Sequence, residues 1–146
     1  MKTAERKNSL KTLIGTWSIE GVNISAAPES HETPVTGIWK VEAMAGGRFL
    51  ESHWEYDSGS DEHIGISIFG TPNDDSRPKI FNFDNAGFHR AYDLNIDGRT
   101  WNIQGETERA VLEFDADGGT YKEFWEIRSD GQWLPLCRRA GKRHLD

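Results

Sequence analysis

The run Glu51-Ser52-His53-Trp54-Glu55 sets two carboxylates and an imidazole at every second position. On a strand that spacing places all three on one face, where they could ligate a metal or act as an acid–base pair. The residues between and beside them, Leu50, Ser52, Trp54 and Tyr56, form the more apolar set and claim the core. The Glu51, His53 and Glu55 stripe is therefore expected in solvent, with no metal bound. A second constellation is carried by Phe88, Arg90, Tyr92, Leu94 and Ile96, whose apolar members pull Arg90 and Tyr92 inward. A third is the set Tyr121, Glu123, Trp125 and Ile127, which takes Glu123 in with it. An arginine drawn into a core needs a partner, because an unpaired buried charge is costly. Glu123 is one candidate partner for Arg90, an anionic or carbonyl group of a ligand is another, and water at an open end is a third.

Other chemistry finds little support in the sequence. The five histidines, His31, His53, His63, His89 and His144, show no zinc spacing, and none is singled out as an inward axial ligand for haem. Gly46-Gly47 and Gly118-Gly119 precede no helix and read as turns rather than phosphate cradles. Ser52 and Ser129 have no neighbouring base. Cys137 is a lone cysteine, expected to be a small core residue.

The elements that must position these groups are strands. Alternation recurs, broken by turn residues at spacings of about eight to twelve. Strands are expected over 16–24, 35–42, 48–56, 63–69, 79–84, 88–96, 100–106, 109–115, 120–128 and 132–139, with Asp97-Gly98 and Asp130-Gly131 as hairpin turns. Phe81 and Phe83, Trp101 and Ile103, and Leu112 and Phe114 are assigned inward. The first dozen residues read as a short helix ending at Gly15, and the tail from Gly141 reads as loose. The expected fold is all-β: one antiparallel up-and-down barrel over 1–146, of about ten strands, closed because open edges invite aggregation. A barrel of this size can hold one small ligand.

Composition narrows the partners. The 146 residues carry a formal net charge of −7, which argues against nucleic acid and anionic membranes. A single cysteine, no apolar leader and no long apolar stretch lead to the expectation of a cytoplasmic protein.

The segment Leu13-Ile14-Gly15-Thr16-Trp17 is similar to the Gly-X-Trp opening of the calycin superfamily, the lipocalins and their relatives. With Gly46-Gly47-Arg48-Phe49-Leu50 and the segment from Phe83-Asp84-Asn85-Ala86-Gly87 to Tyr92, most of the chain resembles a bacterial lipocalin-like family of unknown function. The resemblance implies a closed barrel with Trp17 at its base, covered by Arg138 or Arg139 in a cation–π pair. It carries over no ligand, cofactor or catalytic residue. Haem-binding relatives rely on a histidine near the end of the barrel, and the segment from Trp133 to Arg139 has none.

Three functional readings follow. In the leading one the barrel binds a small apolar or aromatic molecule, with a carboxylate as an option, through Ser52, Trp54, Tyr56, Arg90, Tyr92 and Glu123, and needs no cofactor or metal. In the second, Arg90, Tyr92 and Glu123 serve a cofactor-independent lyase or isomerase acting on a small aromatic or unsaturated acid in the barrel cavity. In the third the barrel is filled and acts through its surface, including as a homodimer, which exposed Trp39 or Trp133 would favour.

Overall fold

A computed structural model describes residues 10–25 and 31–144. Ten strands occupy them: β1 (Gly15–Ser25), β2 (His31–Ala43), β3 (Phe49–Asp57), β4 (Glu62–Gly70), β5 (Lys79–Asp84), β6 (His89–Asp97), β7 (Thr100–Gln104), β8 (Glu108–Phe114), β9 (Thr120–Ser129) and β10 (Gln132–Arg143). Each pairs antiparallel with the next, and β1 closes on β10, so the sheet is the expected closed up-and-down barrel. The turns follow local chemistry. Asp130 and Gly131 both have positive φ, 50° and 76°, the two-residue primed turn whose twist matches that of its strands.

Two sequence expectations are corrected, and a third, the short N-terminal helix, falls mostly on residues outside those described, of which only Leu10 and Lys11 at its end are seen, in helical conformation. Residues 10–14 make one turn, in which the Leu13 and Ile14 N–H groups donate to the Leu10 and Lys11 carbonyls at 3.0 and 3.1 Å. The tail is not loose, because β10 continues to Arg143 and pairs with β1 as far as Trp17. In β5 the inward residues are Ile80 and Asn82, opposite Phe69 and Ser67, whereas Phe81 and Phe83 face outward beside Ile68 and Ile66. A hydrogen-bonded Asn82 is acceptable inside, and apolar cross-strand pairs are acceptable outside.

One end of the barrel is sealed. Leu13, Trp17, Leu94, Trp101 and Tyr121 are essentially inaccessible there. Trp17 packs edge-on against Tyr121 and Phe114, at 5.1 and 6.2 Å between centroids, and its Nε1 donates to the Leu13 carbonyl at 2.8 Å.

Towards the other end the rings lie along the wall. Tyr56, Trp54 and Tyr92 each lie against a glycine of a neighbouring chain segment, Gly37, Gly65 and Gly105 respectively, as Tyr121 at the base does against Gly141. A Cβ at any of these glycines would come within 2.1–2.6 Å of the ring. Glycine lets the ring settle against backbone instead of projecting across the barrel, and this keeps the lumen open.

Candidate functional site

The open half of the barrel encloses a cavity of about 140 Å³. Its lining residues come from β2 to β10. Alternation brings Trp54 and Tyr56 in from β3, with centroids 5.6 Å apart, and Tyr92 in from β6 to meet Trp125 of β9 edge-on at 5.5 Å. Trp39 and Phe69 lie deeper, 5.9 Å apart.

Three polar groupings interrupt this aromatic lining. In the first, Trp54 Nε1 donates to Ser67 Oγ at 2.8 Å, and Ser67 Oγ donates to Asn82 Oδ1 at 2.6 Å. In the second, the Tyr92 hydroxyl donates to Glu108 Oε1 at 2.6 Å, and Arg90 Nε lies 3.6 Å from the same oxygen. Burial, reinforced by Glu108, raises the Tyr92 phenol above its ordinary value, so it remains a donor. The third contains Arg139 and Glu123, whose closest atoms, Nη1 and Oε1, are 3.9 Å apart although their side chains are only 13 % and 7 % exposed. The Arg139 guanidinium covers the Tyr56 ring at 4.0 Å. Burial pushes the Glu123 carboxyl up from its usual range, against the pull of Arg139 and of the neighbouring Trp125 N–H. Arg139 Nε, Glu123 Oε1, Trp125 Nε1 and Trp39 Nε1 have no hydrogen-bond partner among the described residues.

The mouth carries Phe88, 57 % exposed, with the Arg90 guanidinium 4.8 Å from its ring centroid. Beside it His63 Nε2 donates to Asp84 Oδ2 at 3.1 Å, and Asp84 Oδ1 accepts from the Ala86 and Phe88 backbone N–H groups. Burial acts to raise the Asp84 carboxyl, but these donors outweigh it and hold it below the usual carboxylate range. Because the folded-state pKa is depressed, Asp84 stabilises the fold above its unfolded pKa, and that contribution is lost as pH falls through the folded one. Asp84→Asn is expected to cost about 1 kcal/mol at neutral pH, read from urea midpoints. The cost should fade below about pH 4. Equal losses at both pH values would refute this role for the carboxylate.

Of the residues singled out in the sequence, Trp54, Tyr56, Arg90, Tyr92 and Glu123 all line the cavity. Ser52 does not: it faces inward but is fully buried outside the cavity lining, and its hydroxyl donates to the Ser67 carbonyl at 2.9 Å. The partner of Arg90 is Glu108 rather than Glu123. The arginine over Trp17 is neither Arg138 nor Arg139 but Arg143, at 4.3 Å, which also donates to the carbonyls of Thr12, Ile14 and Gly118. Arg138 points outward to Glu32 at 2.6 Å. Arg139 and Glu108 also line the cavity, beyond the residues expected there. The parity of Cys137, Arg139 and Gly141 is a sequence signal for the first. Glu108 carries none, because local periodicity starts its strand one residue later, at Arg109.

The sealed base and open, cavity-bearing end are those of a lipocalin-like barrel. Two solved structures show the likeness. The M. tuberculosis protein Rv2717c superposes with a TM-score of 0.70 at 12% identity, over 94% of this chain and 96% of that one. The S-type phycobiliprotein lyase CPES of Guillardia theta superposes with a TM-score of 0.58, also at 12% identity, over 100% of this chain and 94% of that one. At such identity the likeness is one of fold. No protein-family model matches the chain, and no curated protein matches its sequence. No helix among the described residues is long and apolar enough to cross a membrane.

Proposed function

We propose that the protein is a small-molecule-binding barrel whose open lumen holds a flat, largely apolar ligand with one hydrogen-bonding group. The observation that supports this reading is the pairing of aromatic walls with buried polar atoms that have no hydrogen-bond partner among the described residues. Apolar linings with a few convergent polar groups are how small-molecule sites are built. The cavity is close in size to one of about 150 Å³ that takes up benzene. A solid interior would have favoured an interaction module, but the lumen is open and Trp39 is buried inside it. Trp133 is half-buried, with the guanidinium groups of Arg109 and Arg128 4.3 and 5.8 Å from its ring.

Native mass spectrometry of the purified protein, before and after incubation with a small-metabolite extract, tests the proposal. A reproducible added mass is expected. Leu136 lines the cavity, and Leu136→Trp should place an indole in the lumen and abolish that mass while the barrel stays folded by circular dichroism. An added mass that survives in a folded Leu136→Trp protein would place the ligand elsewhere and overturn the reading.

A lyase or isomerase acting on a small unsaturated acid is the second reading. One observation favours it: the buried Glu123 holds its proton more tightly than an exposed glutamate. With Arg90 and Tyr92 engaged by Glu108, the acid–base role would fall to Glu123. Loss of cinnamate absorbance on incubation, absent in Glu123→Gln, would support catalysis, and unchanged absorbance would leave binding alone.

A further inference from the structure

The lumen holds two arginines, neutralised in different ways. Arg90, at the mouth, shares Glu108 with the Tyr92 hydroxyl and reaches water. Arg139 lies deeper, its guanidinium against Tyr56, and its one nearby carboxylate among the described residues, that of Glu123, stands beyond hydrogen-bond distance. Buried arginine–carboxylate pairs are normally closed by short, often bidentate bonds, because a loose pair keeps the desolvation cost without the compensating contacts. Here Arg139 Nε, Glu123 Oε1 and Trp125 Nε1 are all unpartnered among the described residues. Arg139 Nε and Trp125 Nε1 are donors, and a ligand that brings an acceptor would satisfy them. A planar carboxylate matches the guanidinium fork, and the indoles of Trp54 and Trp125 on the cavity wall offer surfaces for an attached ring.

A ligand carboxylate beside an ionised Glu123 would put two negative charges against one arginine, and like charges at close range do not both stay ionised in a buried site. A proton must then be taken up. The groups facing Glu123 are Arg139 and Cys137 of β10, Tyr56 of β3 and Tyr121 of its own strand. From β8, Glu108 is already engaged by Arg90 and Tyr92. Burial keeps Tyr56 and Tyr121 protonated and pushes Cys137 up to about 12. Desolvation works against the charge of Arg139, but its neighbours outweigh it and the guanidinium stays charged. Glu123 is the group left to accept the proton.

We propose that the lumen selects small aromatic monocarboxylates, whose carboxylate displaces Glu123 as the counter-ion of Arg139 while Glu123 takes up one proton. This deepens the binding reading above and rests on it. No covalent bond changes: the proton comes from solvent and returns to it on release.

Benzoate and its neutral relative benzamide are the probes, in calorimetric titrations between pH 6 and 8 in phosphate and in Tris. Benzoate is expected to bind the native protein at least tenfold more tightly than benzamide. Binding should take up about one proton, with the observed heat differing between buffers and affinity falling by up to about tenfold per pH unit. Glu123→Gln mimics the protonated acid. It should still bind benzoate, with no proton uptake and a flat pH profile. Arg139→Gln should bind the two probes alike, and if it does not fold, the native protein and Glu123→Gln decide the matter. Benzamide binding as tightly as benzoate, or benzoate binding without proton uptake, would overturn this proposal and leave the binding barrel standing. Failure of both probes to bind would count against the binding barrel as well.

Discussion

Trp17→Ala is expected to cost about 3–5 kcal/mol of folding stability, in the range for large-to-small changes at buried aromatics. Trp17 is fully buried at the sealed base. It contacts Tyr121 and Phe114, lies under Arg143 and hydrogen-bonds the Leu13 carbonyl. Alanine would leave a cavity, an unpaired buried carbonyl and an arginine without its aromatic platform. Against a total stability of about 5–15 kcal/mol, that is enough to bring much of the population close to unfolding. Urea titration followed by circular dichroism measures the loss. Trp17→Phe separates the contributions: it keeps most of the ring contact and gives up the hydrogen bond, so its cost should be less than half that of alanine. If Trp17→Ala lost under 1 kcal/mol, the base would not depend on this residue.

Gly65→Ala is the second large effect, and it bears on the lumen as well as on stability. The added Cβ would lie 2.2 Å from Trp54 Cζ2 and 2.5 Å from the Phe83 carbonyl oxygen. The carbonyl is held in the sheet, so the indole must move, and the way open to it is into the cavity. Overpacking of this kind costs about 1–3 kcal/mol, and more where backbone is involved. The Trp54–Ser67–Asn82 hydrogen-bond chain would break at its first link. The expected result is a lower urea midpoint, a shifted tryptophan emission maximum and loss of any bound ligand mass. A Gly65→Ala protein with native stability and emission would mean that the ring does not lie against that glycine.

The sequence was legible where alternation was clean. Leu50, Ser52, Trp54 and Tyr56 were placed correctly on β3 because Glu51, His53 and Glu55 left no rival inward set. The same logic failed on β5, where Phe81 and Phe83 outweighed Asn82 and Asp84 by hydropathy. What settles that strand lies on β4: Ser67 bonds Asn82 and His63 bonds Asp84. Partners supplied from a distant part of the chain leave no trace in local periodicity. For the same reason Arg143 was missed, since its purpose depends on carbonyls of Thr12 and Ile14 brought to it by closure of the barrel.

The irregularity in β10 has a consequence for how this strand tolerates change. Leu134 stands opposite Ile127 and Cys137 opposite Trp125, with Leu136 passed over between them. Residues directly opposite share a face, so even-numbered side chains point inward before Leu136 and odd-numbered ones from Cys137 onward. The strand is written in two frames spliced at one residue. Chain length is forgiving at the splice, where losing Leu136 would disturb neither frame. Beyond it, losing one residue between Cys137 and Arg139 would turn Arg139 out to solvent. Nearly the same amino acids would then make a barrel of the same fold whose wall carries no guanidinium at that point, leaving Glu123 opposite without its cation.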